Sequence, residues 1–187
     1  MEFVVKEERL VYDSFFKIKR YTVQHELYAG GQSQPFSREL FERGNAASVL
    51  MHDPEEDVVV LIEQFRVGAI ASGNPWVLEL VAGMVEEGET PSDVVVREAE
   101  EESGAVLKSP ELICEFYNSV GGSSEITSVF YTEVNSQSIA GVHGLESENE
   151  DIRVVKLKVN EFYGLLRSGG VLTGSLAVAG YWMMANR

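Results

Sequence analysis

Apolar and polar positions alternate with period two through "EFVVKEERLVY" (residues 2–12) and "FKIKRYTVQHEL" (16–27), which predicts two strands separated by "DSF". The Gly-rich "YAGGQSQ" (28–34) makes a hairpin turn, and "DPEED" (53–57) separates the strand "RELFERGNAASVLMH" (38–52) from "VVVLIEQFRV" (58–67). Further strands are expected at "WVLELVAG" (76–83), "ELICEFYN" (111–118), "ITSVFYTEVN" (126–135) and "DIRVVKLKV" (151–159). Helical spacing replaces alternation in three places: from Pro91 to Glu102, in a short helix opening at Asn160, and in the apolar tail "VLTGSLAVAGYWMMA" (171–185). That tail is too short and too interrupted by Gly and Ser to span a bilayer, so it is expected to pack as a helix. Many strands with a few interleaved helices predict an α+β or mixed α/β sandwich.

The first helix has clear ends. Thr90, Pro91 and Asp93 read as an N-cap, a first helical residue and an acid in the first turn, and Ser103 with Gly104 reads as the stop. Val94, Val95 and Ala99, with Val96 as a further candidate, supply its apolar side, whereas Glu98, Glu101 and Glu102 share one face at i, i+3 and i+4. Like charges at that spacing repel, and the C-terminal end of the helix dipole disfavours anions further. A divalent cation would reverse both penalties. Glu-rich helix faces are ordinarily solvated surface; the loop in front of this helix changes the balance. Between Gly83 and the helix, "MVEEGE" (84–89) brings backbone carbonyls and Glu86, Glu87 and Glu89 toward the same helix. A donor set made only of oxygen suits a hard ion, Mg²⁺ or Mn²⁺, better than zinc.

The stretch "GMVEEGETPSDVVVREAEEESGA" (83–105) resembles the Nudix box, G-x5-E-x7-R-E-U-x-E-E-x-G-U with U aliphatic. Gly83, Glu89, Arg97, Glu98, Glu101, Glu102 and Gly104 fall on its fixed positions, with Ala99 and Ala105 at aliphatic ones. "FERGNAA", "IEQFR", "PWVLELVAG", "SVGGSSE" and "HGLESENEDIRV" extend the resemblance toward the ADP-ribose pyrophosphatase branch of Nudix hydrolases. The resemblance implies the Nudix fold, a mixed sheet between helices, over residues 45–187, preceded by an N-terminal β extension over residues 1–44. It further implies cleavage of ADP-ribose to AMP and ribose 5-phosphate, with Mg²⁺ as cofactor and Mn²⁺ as a substitute.

Site residues follow from the same resemblance. Glu98, Glu102 and the carbonyl of Ala82 would hold metal ions, joined by Glu101 directly or through water, and Arg97 would orient a box glutamate. Glu148 would act as general base, and Glu150 would be a further metal ligand; which of Glu146, Glu148 and Glu150 takes the proton is open. Arg66 would contact a phosphate or the terminal ribose. The N-terminal strands would pair with a second subunit in a homodimer, and Phe15 and Arg38 would sandwich the base. Without the resemblance, Arg66 would read as a surface ion pair, Phe15 as a core or interface residue and Glu148 as part of a solvated loop.

One position departs from the branch. Where it commonly carries proline before the paired glycines, this chain has Val120, which leaves the loop freer. Other nucleoside diphosphate sugars, such as ADP-glucose and GDP-mannose, are therefore alternative substrates. A third reading, a sensor that binds a nucleotide sugar without cleaving it, has no use for an intact set of box glutamates and finds no DNA-binding motif or basic arm here.

Composition narrows the setting. A chain of 187 residues suits one domain, or a domain with a small extension. With 30 acids against 15 bases the net charge is −15, which argues against nucleic acid or an anionic membrane as partner. A nucleotide substrate is itself an anion, so metal ions at the site would reconcile the two charges. One cysteine, Cys114, allows no internal disulfide, and "MEFVVKEERL" lacks the regions of a signal peptide; together they predict a cytoplasmic protein. His25, His52 and His143 lack metal-ligand spacing.

Overall fold

The computed structural model describes residues 1–187, which divide into two compact units. Met1–Asn45 and Tyr117–Ile126 form the first. In it β1 (Phe3–Asp13), β2 (Lys17–His25) and β3 (Phe36–Glu42) make an antiparallel sheet in the order β1-β2-β3. Register aligns Val5 with Val23 and Val23 with Phe36, and likewise Leu10 with Lys19 and Lys19 with Leu40, so one face collects most of the apolar side chains. Every residue of β1 is exposed, including Phe3 at 72% and Leu10 at 45%. Segment 117–126 is tied into the same unit. The Phe41 amide donates to the Gly122 carbonyl at 2.8 Å, and Arg43 pairs with Glu125 at 3.3 Å.

Residues Ala46–Phe116 and Thr127–Arg187 form the second unit. Its strands are β4 (Ala46–Asp53), β5 (Val58–Phe65), β6 (Trp76–Glu79), β7 (Val81–Met84), β8 (Glu111–Tyr117), β9 (Ile126–Glu133), β10 (Val142–His143) and β11 (Ile152–Lys158). They are arranged β10-β11-β5-β4-β9-β8, and the sheet is mixed because β4 runs parallel to β9 and antiparallel to β5. Alternation along β4 divides the core. Ala47, Val49 and Met51 pack toward α1 (Pro91–Ser103), and Leu50 packs toward α2 (Val159–Arg167) and α3 (Gly174–Asn186). The expected sheet between helices is what forms. No helix is long and apolar enough to cross a membrane.

Several boundaries differ from the sequence pattern, each for a local reason. "RELFERGNAASVLMH" is two strands broken at Arg43–Asn45, where the Asn45 side chain accepts the Ile126 amide at 3.0 Å. "VVVLIEQFRV" stops at Phe65, and a 3-10 turn over Val67–Ser72 follows, closed by the Arg66 amide on the Pro75 carbonyl at 2.8 Å. "WVLELVAG" is split at Leu80 because its halves have different partners. β4 and β5 pair at Met51–Asp53 and Val58–Val60, then splay; β6 lines the β5 arm and β7 lines the β4 arm. That fork positions the site.

Candidate active site

Helix α1 is delivered to the fork by its cap. Thr90 Oγ1 accepts the Asp93 amide at 3.2 Å while the Asp93 carboxylate accepts the Thr90 amide at 3.0 Å, a reciprocal capping box with Pro91 at the first helical position. Buried Val94, Val95 and Ala99 press the helix onto the sheet, which leaves the glutamate face turned toward β7.

Arg97 is the hub of that face. Its Nε and Nη2 donate to the two oxygens of Glu89 at 3.0 and 3.2 Å, and its Nη1 donates to Glu98 at 2.8 Å and Glu101 at 3.3 Å. The bond to Glu89, against the desolvation of the guanidinium, keeps Arg97 firmly charged, and the same bond holds the Glu89 carboxyl below the usual range. One cation thus fixes three carboxylates.

Glu102 lies deeper, 2% exposed. Its Oε2 accepts the Ala82 amide at 3.1 Å, and the Gln64 amide reaches Oε1 at 3.5 Å. Burial pushes its carboxyl up to about 8; the Ala82 amide opposes this, and Glu98 and Glu150 nearby add to it. Glu98 is also raised, first by burial, with Arg97 working against that. A residue in a strand directs its N–H and C=O to the same edge. Because the Ala82 amide turns to Glu102 rather than to β4, its carbonyl opens on the Glu102 side as well.

The donors fit a hard divalent cation on three counts. They are all oxygen. Gly83 admits Glu98 so closely that a Cβ there would fall 1.9 Å from Glu98 Oε1. Buried Glu102 has no cationic side chain in hydrogen-bond contact, and burial raises its carboxyl, so a cation bound there would offset the cost of ionising it. With Glu98 and Glu101 turned to Arg97, no three acidic side chains converge on one point.

The other residues singled out from sequence are placed as follows. Glu150 is half-buried and electrostatically coupled to Glu98 and Glu102, whereas Glu148 is exposed on a 3-10 turn over Glu146–Glu148. Arg66 Nε donates to Glu79 at 2.6 Å and acts on Glu102 through its charge. Phe15 and Arg38 belong to the N-terminal unit: Phe15 is 79% exposed, and the Arg38 guanidinium lies 4.8 Å from the Phe36 ring centre. Gln64 is an addition that sequence reasoning missed. Its signal was visible, since it continues the inward row Val60 and Ile62 of β5 as a polar residue that is 5% exposed.

The model of the NUDIX domain family matches residues 42–168. An ADP-ribose pyrophosphatase of Haemophilus influenzae is 42% identical over 183 residues, covering 96% of this chain and 84% of that protein. One from Escherichia coli K12 is 41% identical, covering 98% and 87%. A GDP-mannose pyrophosphatase of Cronobacter sakazakii is 32% identical, covering 87% and 85%.

Proposed function

The chain belongs to the NUDIX domain family, and on that premise we propose that it is a Mg²⁺-dependent hydrolase cleaving the pyrophosphate of ADP-ribose to AMP and ribose 5-phosphate. The observation that carries this reading is the box itself: Arg97 gripping Glu89, Glu98 and Glu101 beside a buried Glu102 that faces the Ala82 backbone. Resemblance over nearly the whole chain to proteins named as ADP-ribose pyrophosphatases supports the substrate. GDP-mannose pyrophosphatases match less well and, with Val120, favour GDP-mannose as the second candidate.

In this reading Glu98, Glu102 and the Ala82 carbonyl hold Mg²⁺, with Glu101 and Glu150 completing the set. Mg²⁺ supplies charge neutralisation and Lewis acidity at the pyrophosphate oxygens. Arg97 keeps Glu98 and Glu101 in place, and its hydrogen bonds to both support that role. Glu148 takes the proton of the attacking water, a step worth roughly 10²–10⁴-fold in rate. Its exposure on a short turn suits a base that approaches once substrate is bound. Arg66 exchanges part of its bond to Glu79 for a substrate phosphate or the terminal ribose. The protein is a cytoplasmic homodimer in which Phe15 and Arg38 of one subunit cover the adenine held by the other. The fully exposed β1 and the apolar face of its sheet support that assembly.

The test is hydrolysis of ADP-ribose with and without Mg²⁺, beside ADP-glucose and GDP-mannose, with products identified. Metal-dependent release of AMP with a clear preference for ADP-ribose supports the reading. Preference for GDP-mannose keeps the chemistry and replaces the substrate. Binding without turnover of any of them overturns the enzymatic assignment.

A further inference from the structure

The loop carrying Glu148 and Glu150 is joined to the box helix at a point that neither glutamate accounts for. An α-helix leaves its last carbonyls without intrahelical donors. At the end of α1 the Gly104 amide closes on the Glu100 carbonyl and the Ala105 amide on the Ala99 carbonyl, both at 3.0 Å. The Glu101 carbonyl is taken instead by the Gly144 amide at 3.2 Å, at the root of the acidic loop. Beside this bond the His143 ring lies against the helix terminus. A Cβ on Gly104, whose φ is +71°, would sit 3.0 Å from His143 Cε1. His143 Nε2 donates to the Ala140 carbonyl at 2.9 Å, which braces the ring across its own turn.

The other side of the joint is as tight. Gly144 has φ +104°, and a Cβ there would come within 2.6 Å of Glu150 Cβ. The Leu145 amide donates to Glu150 Oε2 at 3.1 Å, and the Glu150 amide returns to the Leu145 carbonyl at 3.3 Å. The loop is therefore closed on itself over residues 145–150, and its root is held by the two-residue pairing of β10 with β11, by the Val154 amide on the Gly141 carbonyl at 3.0 Å and by the contact with α1.

We propose that His143 and Gly144 are positioning residues, a joint that locks the acidic loop to the C-terminal turn of the box helix and so sets Glu148 and Glu150 relative to Glu98 and Glu102. The proposal rests on the reading that this loop supplies the base and a ligand for hydrolysis. Its physical content is that the same helix turn carries Glu101 and Glu102 on its side chains and the loop root on a backbone carbonyl. Loop and box then share one frame, and a displacement of about 1 Å at the joint is transmitted to the reacting groups at a cost on the order of 10²-fold in rate.

The experiment compares Gly144→Ala, His143→Ala and His143→Gln in the full chain, with two readouts. Amide exchange of residues 144–151 is followed by mass spectrometry in metal-free protein, and kcat and KM for ADP-ribose are measured with Mg²⁺. Gly144→Ala is expected to speed exchange of the loop and lower kcat on the order of 10²-fold, with KM much less affected. His143→Ala moves both in the same direction by less, and His143→Gln restores them because its side-chain amide can still donate to Ala140. Unchanged exchange in Gly144→Ala and His143→Ala overturns the joint, as does a kcat loss with exchange unaltered. If Gly144→Ala does not fold, the two His143 variants decide. Absence of turnover by the wild-type chain would instead sink the functional reading, and exchange alone would then decide whether the joint exists.

Discussion

Glu102 and Gly83 are where single atoms decide the site. With its carboxyl raised to about 8 from an ordinary value of 4.5, Glu102 is protonated at neutral pH in metal-free protein. A cation must displace that proton, so apparent Mg²⁺ affinity should rise with pH up to about 8, measured by calorimetric titration at several pH values. The sign for stability follows from the same shift. A raised acid pKa stabilises the fold fully below pH 4.5, and that contribution is lost as pH climbs toward about 8. Glu102→Gln mimics the protonated form, so in chelator its melting temperature should change less between pH 5 and 8 than that of the parent, while turnover falls on the order of 10³-fold. Full turnover in that variant would remove Glu102 from the metal set. Gly83→Ala tests the neighbouring contact. A Cβ 1.9 Å from Glu98 Oε1 must expel the glutamate, so activity should collapse while the circular dichroism spectrum stays native. The box spacing made Glu98, Glu101 and Glu102 legible as one face. The Ala82 backbone entered through the family resemblance and not through that spacing, and neither it nor Gln64 meets Glu102 until β5 and β7 are folded side by side.

Elements were legible where one periodicity ran undisturbed and were misread where partners changed midway. Helix α1 needed only its own cap and stop, both local signals. The break at Leu80 and the 3-10 turn after Phe65 exist because β4 and β5 splay, a tertiary event that leaves no period in the sequence. Asp53 shows how such an element is closed. At the end of β4, 3% exposed, it accepts the amides of Ser136, Glu55 and Glu56 at 2.7, 3.0 and 3.1 Å, joining the β4–β5 turn to the segment after β9. Burial favours its neutral form, yet these amides outweigh that and hold the carboxyl at about 2 instead of 3.8. The stability it confers is present above about pH 4 and is lost as pH falls toward 2. Asp53→Asn turns an amide group toward an N–H donor, which should cost about 1–3 kcal/mol at neutral pH. Urea unfolding at pH 7 and at pH 3 checks both claims: the difference between parent and variant should shrink at the lower pH. An equal difference at both would mean that Asp53 acts through shape and not through charge.

At the scale of the molecule the sequence already carried the contradiction that organises the function: a chain of net charge −15 whose relatives act on anionic nucleotide sugars. Metal at the box would answer it. Recognition of the adenine is a separate demand, and its proposed partners Phe15 and Arg38 both belong to the N-terminal unit, which carries an entirely exposed β1. If that sheet serves a second copy of the chain, each active site is composite, and two inactive variants should repair one another. Glu102→Gln destroys a metal site and leaves the covering residues whole; Arg38→Ala does the reverse. Mixed and allowed to exchange subunits, half the dimers become mixed, and each of those holds one site with both Glu102 and Arg38 intact. Activity should recover to about a quarter of the parent value, since a two-fold dimer has two equivalent sites. Recovery far below that, in a sample shown by native mass spectrometry to contain mixed dimers, would mean that each chain covers its own substrate. Recovery near a quarter would make the N-terminal strands part of the enzyme's chemistry, for a reason the box alone could not disclose.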